Sequence, residues 1–234
     1  MSPAEFKAAR EKYQYVPARL IRAPNGGKPH LNWKSLKLVM DVPEGWDSGD
    51  QDIRSGYSSV DLDNFHRRLL RSESEYDLIH GLLSIVFWGF ASGSDGRINR
   101  ARALAKAKEI INGRANALKQ PHPDVIAQLK KCRRFLNASQ SAEALREATQ
   151  IKFLQMAFAS KLLTFMAPNL AAVYDDVISK RLAETPELKN LSVSTKPAKS
   201  KATKLEQESV YAGWCRWCVE KADNLNASGI TWRD

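Results

Sequence analysis

Residues 78–90 constrain this chain more than any other stretch. Leu78, Ile79, Leu82, Leu83 and Val86 recur at i, i+1, i+4, i+5 and i+8, the spacing of one face of an α-helix. Ile85, Phe87 and Trp88 carry the apolar surface round the rest of the cylinder. A helix that is apolar all round has to be enclosed by other elements. The spacing therefore predicts a central helix over 73–90 with a globular domain wrapped around it. A bilayer is the wrong enclosure, because a spanning helix needs about 20 apolar residues. The longest apolar run, 82–91, has only ten residues and contains Ser84 and Gly89.

The flanking patterns supply the enclosure. Helices are predicted over 61–71 with Ser58 or Ser59 as N-cap, over 97–112 up to Gly113, and over 124–136 after Pro121-His122-Pro123. Further helices are expected over 141–158, over 160–166 up to Pro168, over 175–182 and over 205–225. Residues 12–50 carry Pro17, Pro24, Gly26, Gly27, Pro29, Pro43 and Gly45, which predicts loops with one or two short strands. The reading is an all-α fold: an irregular N-terminal extension over 1–57 and a helical domain over 58–234. Residues 190–204, basic and poor in bulky side chains, are expected to form a mobile surface loop.

Charge is distributed unevenly. Of a net +10, nine positive charges fall within 97–134, where eleven Lys and Arg face two acids. An excess so localised suits a polyanion, since each phosphate neutralised releases condensed counterions. The plainer alternative is a solvated helical face. Arg97, Arg100, Arg102, Lys106 and Lys108 would contact phosphates and hold register without reading sequence. The N-terminus lacks an apolar run, so nothing there marks secretion. Three cysteines, Cys132, Cys215 and Cys218, cannot make an even disulfide framework, so a reducing, cytoplasmic setting is expected. Cys215-x-x-Cys218 is half a zinc site without a second pair, so no metal and no cofactor are expected.

Two side chains can carry chemistry. On an unbroken helix, Lys161 lies three residues after Phe158 and four before Phe165, and so projects from an aromatic face. Amines in apolar pockets have their charged form disfavoured and become nucleophilic. A snorkelling side chain, or a helix break at Ala159-Ser160, would turn it outward instead. Asp175 and Asp176 open the next predicted helix, where the plain role is an N-cap. An amine and a carboxylate brought together across a short loop suit cleavage of a glycosidic bond.

The segment Ala159-Ser160-Lys161-Leu162-Leu163-Thr164-Phe165-Met166-Ala167-Pro168, with Tyr174-Asp175 after it, resembles the catalytic segment of OGG-fold proteins. These are relatives of the 8-oxoguanine DNA glycosylases in the helix-hairpin-helix superfamily. Phe87-Trp88-Gly89-Phe90 with Arg97 upstream, and Tyr211-x-x-Trp214-Cys215-x-x-Cys218 with Trp232-Arg233 downstream, follow in the same order. The likeness spans roughly 60–234. It implies a DNA glycosylase, with DNA as partner, that flips a modified base into a pocket. Lys161 would be the Schiff-base nucleophile and Asp175 the catalytic carboxylate. Trp88, Phe158, Tyr174 and Trp214 would hold the base, although each has core packing as its simpler role. A monomer acting in base-excision repair, or in defence against phage with modified DNA, is expected. The alternatives are a monofunctional enzyme in which water attacks, and a non-catalytic DNA-binding protein with the same fold.

Overall fold

The computed structural model describes residues 16–44, 46, 59–91, 98–114 and 119–227. Arg97, most of the glycine-containing loop before it and Trp232-Arg233 lie outside the described residues. In chain order the elements are strands β1 (Arg19–Arg22), β2 (Leu31–Trp33) and β3 (Leu36–Asp41), then helices α1 (Ser59–Arg71) and α2 (Glu75–Ala91). Helices α3 (Arg100–Asn112), α4 (His122–Asn137), α5 (Ser141–Ala148), α6 (Met156–Met166), α7 (Asp176–Glu184) and α8 (Lys201–Ala227) follow.

The apolar stripe predicted to be central is α2. Leu78, Ile79, Leu82, Leu83 and Phe87 are completely buried, and Ile85 and Val86 nearly so. Helices α1, α3 and α6 and strand β1 all pack against it. Full burial of side chains of this size stabilises by about 1.5–3 kcal/mol each. The fold is mostly helical, with eight α-helices among the described residues.

Two expectations are corrected. The N-terminal region is more regular than its prolines and glycines suggested. It forms an antiparallel sheet in the order β1-β3-β2, with Leu20 opposite Met40 and Leu31 opposite Leu38. Leu31, Trp33, Leu36 and Leu38 are buried while Asn32 and Lys37 between them are exposed. That alternation is the period of a half-buried strand, and the runs were too short to stand out. The second correction concerns helix 141–158. Its break falls at 149–155, a turn in which Phe153 adopts φ 72°, and α6 then runs unbroken through Ala159-Ser160.

Segment 190–204, expected to be a surface loop, makes several hydrogen bonds to the rest of the domain. Val193 N–H donates to the Tyr174 hydroxyl (2.8 Å), and the Gln207 amide donates to the carbonyls of Ser194 (2.7 Å) and Lys196 (2.8 Å). The Thr195 hydroxyl donates to the Asp176 carboxylate. Its partners come from Tyr174, α7 and α8, so local composition could not reveal them.

A buried polar network fastens the sheet to the helices. Leu20 N–H donates to Ser84 Oγ (3.0 Å), Ser84 Oγ meets His66 Nε2 (2.9 Å), and His80 Nε2 donates to Leu20 O (2.7 Å). His66 has no exposed surface, and burial, with His80 and Arg19 nearby, pushes its pKa down to about 3. Burial lowers His80 as well. An unfolded histidine titrates near 6.5. Below that pH the unfolded chain takes protons that the native network refuses, so stability is complete above 6.5 and falls as pH drops towards 3. Each histidine so held contributes a slope of about 1.4 kcal/mol per pH unit. Urea denaturation between pH 7 and 5 should show this decline, and His66→Gln should remove about one proton from the slope. An unchanged slope in the variant would refute the assignment.

Candidate active site

Helix α6 and the segment 167–175 build the site. Because α6 is continuous across Ser160, Lys161 faces the aromatic side. Its Nζ lies 5.4 Å from the Phe158 ring centroid and 5.9 Å from that of Trp88. Asp175 is the N-cap of α7: Oδ1 accepts from the N–H groups of Val177 (3.1 Å) and Ile178 (3.2 Å). The other oxygen, Oδ2, lies 3.6 Å from Lys161 Nζ. One carboxylate oxygen is thus spent on holding the helix, and the other faces the amine. The distance is an ion pair, longer than a good hydrogen bond. The side chains are 17% and 27% exposed, shielded yet reachable.

Ser160 sets that distance. Its hydroxyl donates to Tyr174 O (3.0 Å) and accepts from Tyr174 N–H (2.9 Å), so the residue before Lys161 is tied to the residue before Asp175. The Tyr174 side chain is completely buried, and its hydroxyl donates to Leu191 O (2.8 Å). Trp214 donates from Nε1 to Val173 O (2.9 Å) and stacks on Trp217 at 5.2 Å. Tyr174 and Trp214 therefore brace segment 167–175 from behind, whereas Trp88 and Phe158 stand beside the amine. Asp176 turns away towards Thr195.

Three residues of this site escaped the sequence reading as contributors. Phe90 stacks on Phe158 with centroids 4.3 Å apart, and Gly89 leaves the room for that ring. Ser160 gave no signal because its partner is fourteen residues away. Beyond the lysine, Asp63, Trp88, Thr164, Phe165, Pro168 and Val173 line a crevice of about 40 Å³. Small-molecule sites usually enclose about 300–1,000 Å³, so an everted base enters only if this crevice opens.

Of the predicted DNA-contacting residues, Arg100, Arg102, Lys106 and Lys108 sit on α3. Arg102 lies over the Phe90 ring at 5.5 Å and Lys106 at 5.9 Å, which places this helix next to the aromatic cluster. Lys106 (2.8 Å) and Arg114 (2.7 Å) both pair with Glu109; burial raises its pKa, and these two partners outweigh that and lower it. Arg102 and Lys108 have no acidic partner among the described residues. The basic residues of α4 behave differently. Lys130 pairs with Glu75, Lys131 with Glu147 and Arg133 with Glu73. Three of the four basic residues of α4 are thus paired with acids, whereas α3 borders the site.

Cys215 is buried, and burial pushes its thiol pKa up. Among the described residues no group of three or more His, Cys, Asp or Glu is placed to hold a metal, and no helix is long and apolar enough to cross a membrane.

Residues 60–231 match the model of a protein family described as "Putative 8-oxoguanine DNA glycosylase OGG-like protein". The chain belongs to this OGG-like family. No curated protein and no solved structure matches it. The match contains every element of the site, from Trp88 on α2 to Trp214 on α8.

A Cβ added at Gly89 would lie 2.5 Å from Phe158 Cε1, a ring held by its stack on Phe90. Gly89→Ala should therefore cost about 1–3 kcal/mol, as overpacking of a filled site does. Combining it with Phe158→Leu should recover part of that loss in urea denaturation; strictly additive losses would show that the contact is not the cause.

Proposed function

We propose that this OGG-like protein is a DNA glycosylase in which Lys161 attacks the sugar and Asp175 assists. The observation that carries the reading is the amine held 3.6 Å from a half-shielded carboxylate oxygen, beside Trp88 and Phe158. In this mechanism Lys161 Nζ, as the free amine, forms a bond to C1′ while the N-glycosidic bond breaks. The bonding pair leaves with the base, which takes up the proton that the ion-paired Lys161 ammonium sheds to become the free amine. Asp175 Oδ2 stabilises the oxocarbenium-like sugar and accepts the proton released from nitrogen. Opening of the sugar ring then gives a Schiff base to Lys161, from which β-elimination can expel the 3′-phosphate and nick the strand.

The target nucleotide has to leave the helix stack, at a cost of a few kcal/mol that is least for damaged or mispaired bases. Trp88 and Phe158 would receive the base, with Phe90 behind Phe158. Arg100, Arg102 and Lys108 on α3 would hold phosphates on the flank, with Lys106 partly engaged by Glu109. Arg97 would extend that set. The reading places the enzyme in repair of modified bases, with modified phage DNA as the other source of substrate.

Lys161→Gln should abolish borohydride trapping of the protein on DNA carrying the excised base. Cross-linking equal to the wild type would remove Lys161 as nucleophile. Asp175→Asn keeps a good N-cap, so stability should change little. Base release in single turnover should slow by about 10²–10⁴-fold, the usual scale for a positioned acid or base. An unchanged rate would take Asp175 out of the mechanism. Abasic sites without strand breaks would support attack by water, and mass spectrometry of bases released from modified DNAs and phage genomes would identify the substrate.

A further inference from the structure

Among the described residues that line the crevice beside Lys161, Asp63 is the one that carries a charge. It lies within α1 and is half-buried. The backbone polar groups inside a helix are spent on the helix itself, so what Asp63 lends to the crevice wall is its carboxyl. Thr164 lines the crevice as well. Its hydroxyl proton is given to Ser160 O (2.9 Å), which leaves lone pairs for a guest.

Much of the remaining wall is aromatic. Trp88 and Phe165 are buried and meet edge to face, with centroids 5.1 Å apart and planes at 86°. The face of an aromatic ring attracts a cation, and most strongly where water is excluded. Trp88 already has one beside it, the Lys161 ammonium, at 5.9 Å. Attack requires Lys161 as the free amine, so that positive charge is gone when the base is cut.

Ring faces beside a carboxylate are the surroundings that recognise organic cations. A neutral base that fills the crevice strips water from Asp63 and returns no charge, which is costly for a carboxylate. A base that is itself positive returns that charge. Purines alkylated at a ring nitrogen, N7 of guanine or N3 of adenine, are flat, aromatic and cationic while attached to the sugar. They are also damaged bases, the kind whose eversion costs least.

We infer that Asp63 makes this site selective for cationic, ring-alkylated purines. The inference rests on the reading above, in which the opened crevice receives the everted base. The 8-oxoguanine of the family's description is a neutral base and serves as the comparison.

The test uses DNA treated with dimethyl sulfate, which carries 7-methylguanine and 3-methyladenine, beside DNA carrying 8-oxoguanine or uracil. Released bases are counted by mass spectrometry above the protein-free rate. The full chain should release the methylated purines at least about tenfold faster than the neutral bases. Asp63→Asn keeps the shape and removes the charge. It should lower the ratio of cationic to neutral base release about tenfold or more, as loss of a hydrogen bond to a charged group does. Both rates scale with the folded fraction, so the ratio is readable even in a less stable variant. Preferential release of a neutral base, an unchanged ratio in Asp63→Asn, or no release of methylated purines overturns the inference. Borohydride trapping on a preformed abasic site involves no base and so tests Lys161 separately. Trapping with release of neutral bases alone keeps Lys161 and removes the role of Asp63. Release of methylated purines without trapping supports the role of Asp63 and removes Lys161 as nucleophile.

Discussion

The uniform apolarity of α2 is the constraint on which the rest depends. A helix with no polar face leaves no side for water, so α1, α3, α6 and β1 must all reach it. Its last turn then decides what stands beside the site. Trp88 and Phe90 are the final aromatic residues of the stripe, and they end beneath Lys161 and Phe158. Gly89 between them leaves room for the Phe158 ring to approach the helix backbone. The same sequence feature that fixes the core therefore also shapes the aromatic wall of the candidate active site.

The pairing of Lys161 with Asp175 rests on groups that do no chemistry. Ser160 bonds both the N–H and the C=O of Tyr174, Trp214 bonds Val173 O, and the Tyr174 hydroxyl bonds Leu191 O. Segment 167–175 is thereby held along its C-terminal half by three side chains. Asp175 follows immediately, with one oxygen committed to two backbone N–H groups. The remaining oxygen has little freedom to leave the amine. This is preorganisation of the kind that lets a charged pair act without reorganising first.

Periodicity made the central helix legible, as it did most other helices, because 3.6-residue spacing is a local property. The orientation of Lys161 was legible for the same reason, once α6 was continuous. The turn at 149–155 was not, since Phe153 adopts a left-handed backbone without being glycine or asparagine. The sheet hid behind prolines and glycines that lie between its strands. The hydrogen bonds of 190–204, the Ser160 clamp and the pairing of the α4 basic residues all depend on partners distant in sequence. Lys130, Lys131 and Arg133 look like DNA-binding residues until Glu73, Glu75 and Glu147 are seen beside them.

The crevice beside Lys161 is closed, and that shapes any catalytic reading. A space of about 40 Å³ admits no base, so binding has to move at least one wall. The wall least able to move is Phe165, which is buried and packed against both His66 (4.5 Å) and Trp88 (5.1 Å). Phe158 does not line this crevice; it is half-buried beside Lys161 and stacks on Phe90. A base that replaces Phe90 as the stacking partner of Phe158 would gain about 1–3 kcal/mol, comparable with the few kcal/mol needed to unstack a damaged nucleotide. An undamaged, well-paired base costs more to extract and gains the same stack. Under the proposed mechanism, discrimination between them would arise at entry, before Lys161 and Asp175 are engaged.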